Sequence, residues 1–226
     1  MLEKMLQKEY SLLEERLNRD NYKNTCYFAF ADTIATINYS KTTKGHGWMG
    51  LRFQLTPDQK PNDFIIHVLL NDADTQLQQE TVGVIGTNML HACFNETDPK
   101  EILKQLYDNL SKDKVQIDMI EVLGPAFDHV DNRLLSLTLV KERMTNAVIF
   151  TPDGINQHPS DILYKKNIIT IRGSFRPVTK VNIDMLERGL KEFKKNSKVK
   201  EKNIYSFNGQ QFNFLDCIEL HCVANC

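Results

Sequence analysis

A chain of 226 residues, 41% hydrophobic and 25% charged, has ordinary globular composition and enough length to bury a core without disulfides. Lys and Arg total 28 against 29 Asp and Glu, a formal net charge of -1, so no whole-molecule field draws in DNA, RNA or an anionic membrane. The same figures argue against disordered, collagen-like and coiled-coil classes.

Leu2, Leu6, Leu13 and Leu17, with charges between them, predict an amphipathic helix over residues 2–17. Residues 26–37 read as extended. In residues 49–55, Leu51, Phe53 and Leu55 alternate with Arg52 and Gln54. Residues 64–70 are an apolar run broken only by His67. These are expected to be neighbouring antiparallel strands, joined by a loop holding Gly45 and Gly47 and by a Pro/Asn/Asp loop over residues 57–63. Residues 75–94 read as one helix or two. Asp98-Pro99-Lys100-Glu101 is a helix start, with Asp as cap and Pro in the first turn. A strand at 115–123, a helix at 134–144 capped by Asp131, strands at 147–150 and 168–171, and a helix at 183–195 follow.

This order predicts an α/β fold. A mixed sheet with packed helices has antiparallel N-terminal strands, then alternating helix and strand with parallel pairs. The expected organisation is an N-terminal helix over residues 1–24, an α/β domain over 25–200 and a C-terminal helical segment over 201–226, where Phe214, Leu215, Ile218, Cys222 and Val223 have helical spacing. The C-terminal segment is expected to open a second region of a longer protein.

No apolar run approaches the roughly 18 residues of a membrane span, and the charged N-terminus lacks the apolar core of a secretory signal. Five cysteines, Cys26, Cys93, Cys217, Cys222 and Cys226, are odd in number and clustered at one end. That is not a disulfide framework, and a reducing cytoplasm is expected. Cys217, Cys222 and Cys226 are spaced more widely than usual zinc ligands and are expected to bind no metal.

The densest polar cluster is Asp128-His129-Val130-Asp131-Asn132-Arg133, in a strand-to-helix loop. Two carboxylates and an imidazole could bind a divalent metal or do acid–base work, so Asp128, His129 and Asp131 are candidate catalytic groups; the structural alternative is a helix cap and a turn. Arg172-Gly173-Ser174-Phe175-Arg176-Pro177 also follows a strand. Arg172, Ser174 and Arg176 suit a phosphate or carboxylate, the alternative being arginines that tie loops to acidic partners. The two loops are expected at one edge of the sheet, where parallel neighbours place their carboxyl ends.

Gly45-His46-Gly47-Trp48-Met49-Gly50 holds the single tryptophan and offers His46 as a third catalytic candidate; a hairpin with an aromatic plug is the plainer reading. His67, inside an apolar strand, reads as a hydrogen-bonded core histidine. Asp118, mid-strand, needs a partner, for which Arg133 or Arg172 is offered. Gln54 and Arg133 complete the candidate substrate-binding set. Gly83 and Gly86 lack the dinucleotide spacing and read as close helix packing. Six lysines over residues 191–202 are diluted by Glu192 and Glu201 and read as a solvated helix end. No motif names a cofactor.

His46 to Gln54, Ile66-His67-Val68, Val130 to Leu134, Leu163 to Lys166 and Arg172 to Thr179 together resemble an uncharacterised bacterial protein family longer than this chain. The resemblance spans roughly residues 25–190 and implies the N-terminal half of a longer protein. It implies no reaction. The leading expectation is an intracellular enzyme acting on a small phosphorylated or carboxylated molecule. The alternative is a non-catalytic interaction or scaffold module of a larger bacterial protein. The expected partner is the small anion, with no nucleic acid and no membrane, and oligomerisation is left open.

Overall fold

Alternating apolar residues and the turn chemistry between them build an antiparallel sheet from the first half of the chain. In a computed structural model, residues 1–17, 22–151, 154–159, 167–173, 179–196, 204–211 and 218–222 are described. They divide into two compact units, Met1–Thr138 and Leu139–Cys226.

The first unit opens with α1 (Leu2–Arg16). Strands β1 (Phe28–Ala35), β2 (Gly45–Phe53) and β3 (Asn62–Leu70) follow as an up-and-down meander. Two helices, α2 (Thr75–Asn95) and α3 (Pro99–Gln105), precede β4 (Val115–Leu123). The sheet order is β1-β2-β3-β4, every pair antiparallel. A short 3-10 turn at Pro125–Phe127 then leads into α4 (Asn132–Lys141).

One face of this sheet is the main core. Met49, Leu51, Phe53, Phe64, Ile66 and Val68 are all fully buried. So are Ile85, Met89, Ala92 and Cys93 of α2 and Ile102 and Leu103 of α3. A Cβ on Gly86 would lie 3.4 Å from the Phe30 ring, an ordinary contact distance. The close packing expected over this glycine pair is not required at either position, since Gly83 looks onto open space. Burial pushes the Cys93 thiol up to about 12, the behaviour of an inert core sulfur.

The opposite face carries α1. Leu2 and Leu6 cluster with Ala31 and Ile65, and each such leucine contributes roughly 1.5–3 kcal/mol by leaving water. The helix sits directly over Gly50, whose Cβ would fall 2.8 Å from Leu6 and 2.9 Å from Leu2. Further along, Arg52 grips Asp63 on the neighbouring strand through two bonds of 2.7 and 2.6 Å. The Asp63 carboxylate holds the guanidinium above its ordinary value.

Local signals set the ends of these elements. Asp74 caps α2 by accepting from Gln76 and Leu77, and Asp98 caps α3 by accepting from Lys100, with Pro99 in the first turn. Gly45 and Gly47, expected in a loop, lie inside β2 instead. A Cβ on Gly47 would come within 2.3 Å of the Thr33 carbonyl oxygen, so glycine serves the close approach of β1 rather than a turn.

The second unit contains β5 (Ile149–Phe150), β6 (Asn156–Gln157), β7 (Asn167–Gly173), α5 (Lys180–Lys194), β8 (Ile204–Gln211) and β9 (Ile218–Cys222). Thr179 and Asn182 form a reciprocal capping box at the start of α5. The sheet order is β6-β5-β9-β8-β7, with β5–β9 and β7–β8 parallel and the remaining pairs antiparallel. The mixed α/β class expected from the sequence is therefore present.

Two expectations change. Residues 204–211 and 218–222 are strands, not a C-terminal helix. Ile218, Leu220 and Cys222 alternate with Glu219 and His221, so the same apolar run fits period two as well as helical spacing. Second, β4 and β7 belong to different sheets. The loops that follow them therefore do not share an edge as parallel neighbours.

Candidate functional site

Strand register brings four groups of the first unit together. Trp48 pairs with His67 across β2 and β3, and His67 pairs with Met119 across β3 and β4. The register then slips, because Val68 pairs with Ile117 and leaves Asp118 as the extra residue of a β-bulge. In a regular strand Asp118 would point away from the face that carries Met119. The bulge re-aims it, and its Oδ1 lies 2.6 Å from His67 Nδ1.

A carboxylate only accepts, so Nδ1 carries the hydrogen and donates it. That fixes the ring's orientation. His67 is 1% exposed and Asp118 6%. The Trp48 ring meets the imidazole edge-on at 5.0 Å, and the exposed His46 ring lies 5.7 Å away. A buried carboxylate–imidazole pair backed by an aromatic ring, with a second imidazole at the exposed end of the strand, is suited to holding and moving a proton.

Trp48 also borders a cavity of about 280 Å³ lined by Glu3, Thr33, Ile65 and Glu121. Burial, and then the charges of Glu3 and Asp63, hold the Glu121 carboxyl above its ordinary value. The folded state therefore favours the protonated form. Its contribution to stability is complete at low pH and is lost as pH rises above the ordinary glutamate value. Glu121→Gln is expected to raise the melting temperature by about 1–2 °C near pH 7, after discounting for solvent screening. Near pH 4 it should change little. A variant that melts earlier at pH 7 would show that the charge is well accommodated.

The expected acid–base loop forms a second feature. His129 and Asp131 line a cleft of about 610 Å³ with Leu55, Pro99, Lys100 and Leu135 among its walls. Asn132 positions this segment, because its side-chain amide accepts from Val122 N–H at 2.9 Å and donates to Val122 C=O at 3.0 Å. Asp131 accepts from the Arg133 backbone and from its guanidinium, at 2.9 and 2.7 Å. The Arg133 side chain foremost, then its backbone N–H, lowers the Asp131 carboxyl to about 2. Such a group is a standing charge and helix cap at neutral pH and carries no proton to give. Arg133 is occupied by the same pair, and Asp128 is exposed at the end of the 3-10 turn.

Gln54 is 2% exposed and braces backbone: its Oε1 accepts from Tyr27 N–H at 3.2 Å and its Nε2 donates to Gln59 C=O at 2.7 Å. Arg172 lies on β7, and Ser174 and Arg176 fall outside the described residues, as does Cys226. The structure thus brings His46 together with His67 and Asp118, and separately places His129 and Asp131 on one cleft.

No local sequence signal joins His67 to Asp118. The sequence offers Arg133 or Arg172 as the partner of Asp118; the structure sets Asp118 against His67, while the Arg133 guanidinium engages Asp131. The available signal was a carboxylate and an imidazole each interrupting an apolar strand, which requires mutual satisfaction if the strands are neighbours. Comparison with protein-family models, with curated proteins and with solved structures finds no match to the chain.

Proposed function

We propose that the protein is a cytoplasmic enzyme that transfers a proton on a small anionic substrate, phosphorylated or carboxylated. His67 is its general acid–base group and Asp118 its orienting carboxylate. The observation that carries this reading is the 2.6 Å contact between Asp118 and His67 Nδ1, made at a β-bulge in a buried part of the sheet. Burying such a pair adds little to stability compared with apolar side chains, which supports a chemical role. The exposed His46 supplies an imidazole donor suited to phosphoryl or carboxylate oxygens. The cytoplasmic location is supported by free thiols at Cys26 and Cys93 and, among the described residues, by the lack of any helix long and apolar enough to cross a membrane.

The test is solvent-deuterium exchange into small phosphorylated and carboxylated compounds, catalysed by the wild-type chain and by Asp118→Asn. Asparagine keeps the volume and an acceptor oxygen but removes the charge that stabilises the imidazolium. A fall in kcat of about 10²–10⁴-fold with unchanged folding is expected. An interaction module of a larger bacterial protein is the second reading. It is favoured by the closed ion pairs Arg133–Asp131 and Arg52–Asp63, which leave those charges engaged within the chain. Equal turnover in wild type and Asp118→Asn, or none in either, rejects the enzyme and leaves the module.

A further inference from the structure

Helix α2 has the wrong outer surface for one that faces only water. Its 21 residues include no Lys or Arg and a single carboxylate, Glu80. Solvent-facing helix sides normally carry several charges. The inner side is spent on the core through Thr81, Ile85, Met89 and Ala92. On the outer side, Leu77, Glu80, Val84, Thr87, His91 and Phe94 follow one another at alternating steps of three and four residues. That spacing places them in one straight seam, the geometry by which helices pair. Leu77 is 40% exposed and Phe94 71%. One side of the Phe94 ring is held against Phe28 at 5.9 Å, so it is already positioned. Beside the seam, Gly83 offers open space where a facing helix can come close.

The seam is complementary to itself when reversed. Lay a second α2 antiparallel on the first, with a two-fold axis passing between Ile85 and Gly86. Leu77 of one copy then meets Phe94 of the other, Glu80 meets His91, and Val84 meets Thr87. Each contact occurs twice, as an isologous interface requires. A parallel pairing would set Glu80 against Glu80 and His91 against His91, so charge selects the antiparallel arrangement. We propose that the outer seam of α2 is a self-association surface, through which two copies of this chain pair antiparallel about that axis.

Sedimentation equilibrium on the full chain over about a hundredfold range of concentration tests this, since self-association must follow mass action. A monomer–dimer equilibrium is expected. Val84→Arg and His91→Glu should each weaken it by at least about tenfold, the first by a buried charge and the second by opposing Glu80. Both positions lie on the outer side of the helix, and circular dichroism should show unchanged folding. Leu77→Lys, at a more exposed position, replaces Val84→Arg if that variant melts early. The double variant Glu80→Lys with His91→Glu should restore the wild-type dissociation constant, because the antiparallel pair is rebuilt with its signs exchanged. A chain that stays monomeric at every concentration overturns the proposal. So does a dimer indifferent to the single variants, or one that the double variant fails to rescue.

Discussion

Asp118→Ala is expected to cost about 3 kcal/mol of folding stability, well above the typical point substitution. The carboxylate is 6% exposed and the imidazole it serves 1%. Both groups are largely withdrawn from bulk water. Removing Asp118 takes away the acceptor for the His67 Nδ1–H, at a desolvation cost of about 1–3 kcal/mol. It also leaves a void at the bulge that a regular strand would not contain. If the bulge exists to serve this contact, the two residues must be coupled. Urea denaturation of wild type, Asp118→Ala, His67→Leu and the double variant measures that coupling directly. The double variant should be more stable than the sum of the single losses by about 1–2 kcal/mol. Coupling below about 0.5 kcal/mol would mean that the two side chains are neighbours by packing alone.

The second large effect is expected at Gly124, where β4 ends. Its φ of 107° and ψ of 173° lie in a region that essentially only glycine occupies. Room is also lacking, because a Cβ would stand 2.7 Å from both Asn62 Cα and the Pro61 carbonyl oxygen. Both are backbone atoms and cannot rotate away. The neighbouring Asn62 Oδ1 accepts from Ala126 N–H at 2.8 Å, so a shift at Gly124 moves the turn that carries His129 and Asp131. Backbone strain of about 1–3 kcal/mol adds to the clash, and Gly124→Ala should lose at least about 3 kcal/mol. The lowered urea midpoint should come without a change in slope. A loss under about 1 kcal/mol would show that the turn relaxes freely.

Elements with signals inside their own segment were legible. Asp98-Pro99 announced α3, and the leucine spacing of residues 2–17 announced α1. The continuous apolar run with a lone histidine announced β3. What depended on a neighbour was not legible. Gly47 looks like a turn residue until Thr33 is placed 2.3 Å from its would-be Cβ. The partner of Asp118 depends on a register slip between β3 and β4, strands joined by residues 71–114 and two helices. No local pattern encodes such a slip. The strand at 218–222 was hidden for a different reason, since Ile218 and Cys222 fit helical spacing while Ile218, Leu220 and Cys222 fit period two. Flanked by Gly45 and Gly47, His46 has the local pattern of a loop histidine, yet it lies on β2. Its place beside His67 follows from strand alternation, once Trp48 is known to face His67.

Sheet order has a consequence for how the first unit reaches its structure. Strands β1, β2 and β3 are joined by short connections over residues 36–44 and 54–61, whereas β4 returns only after α2 and α3. Loop closure favours the contacts nearest in sequence, so the three-stranded meander can form early and β4 docks onto a sheet already present. Changes inside the meander then slow folding. Changes on β4, Asp118 among them, act after the barrier and mainly hasten unfolding. The strand that carries the carboxylate is in that case the last to arrive and the first to leave. The lifetime of the folded state is then set at the edge of the sheet where the candidate chemistry resides.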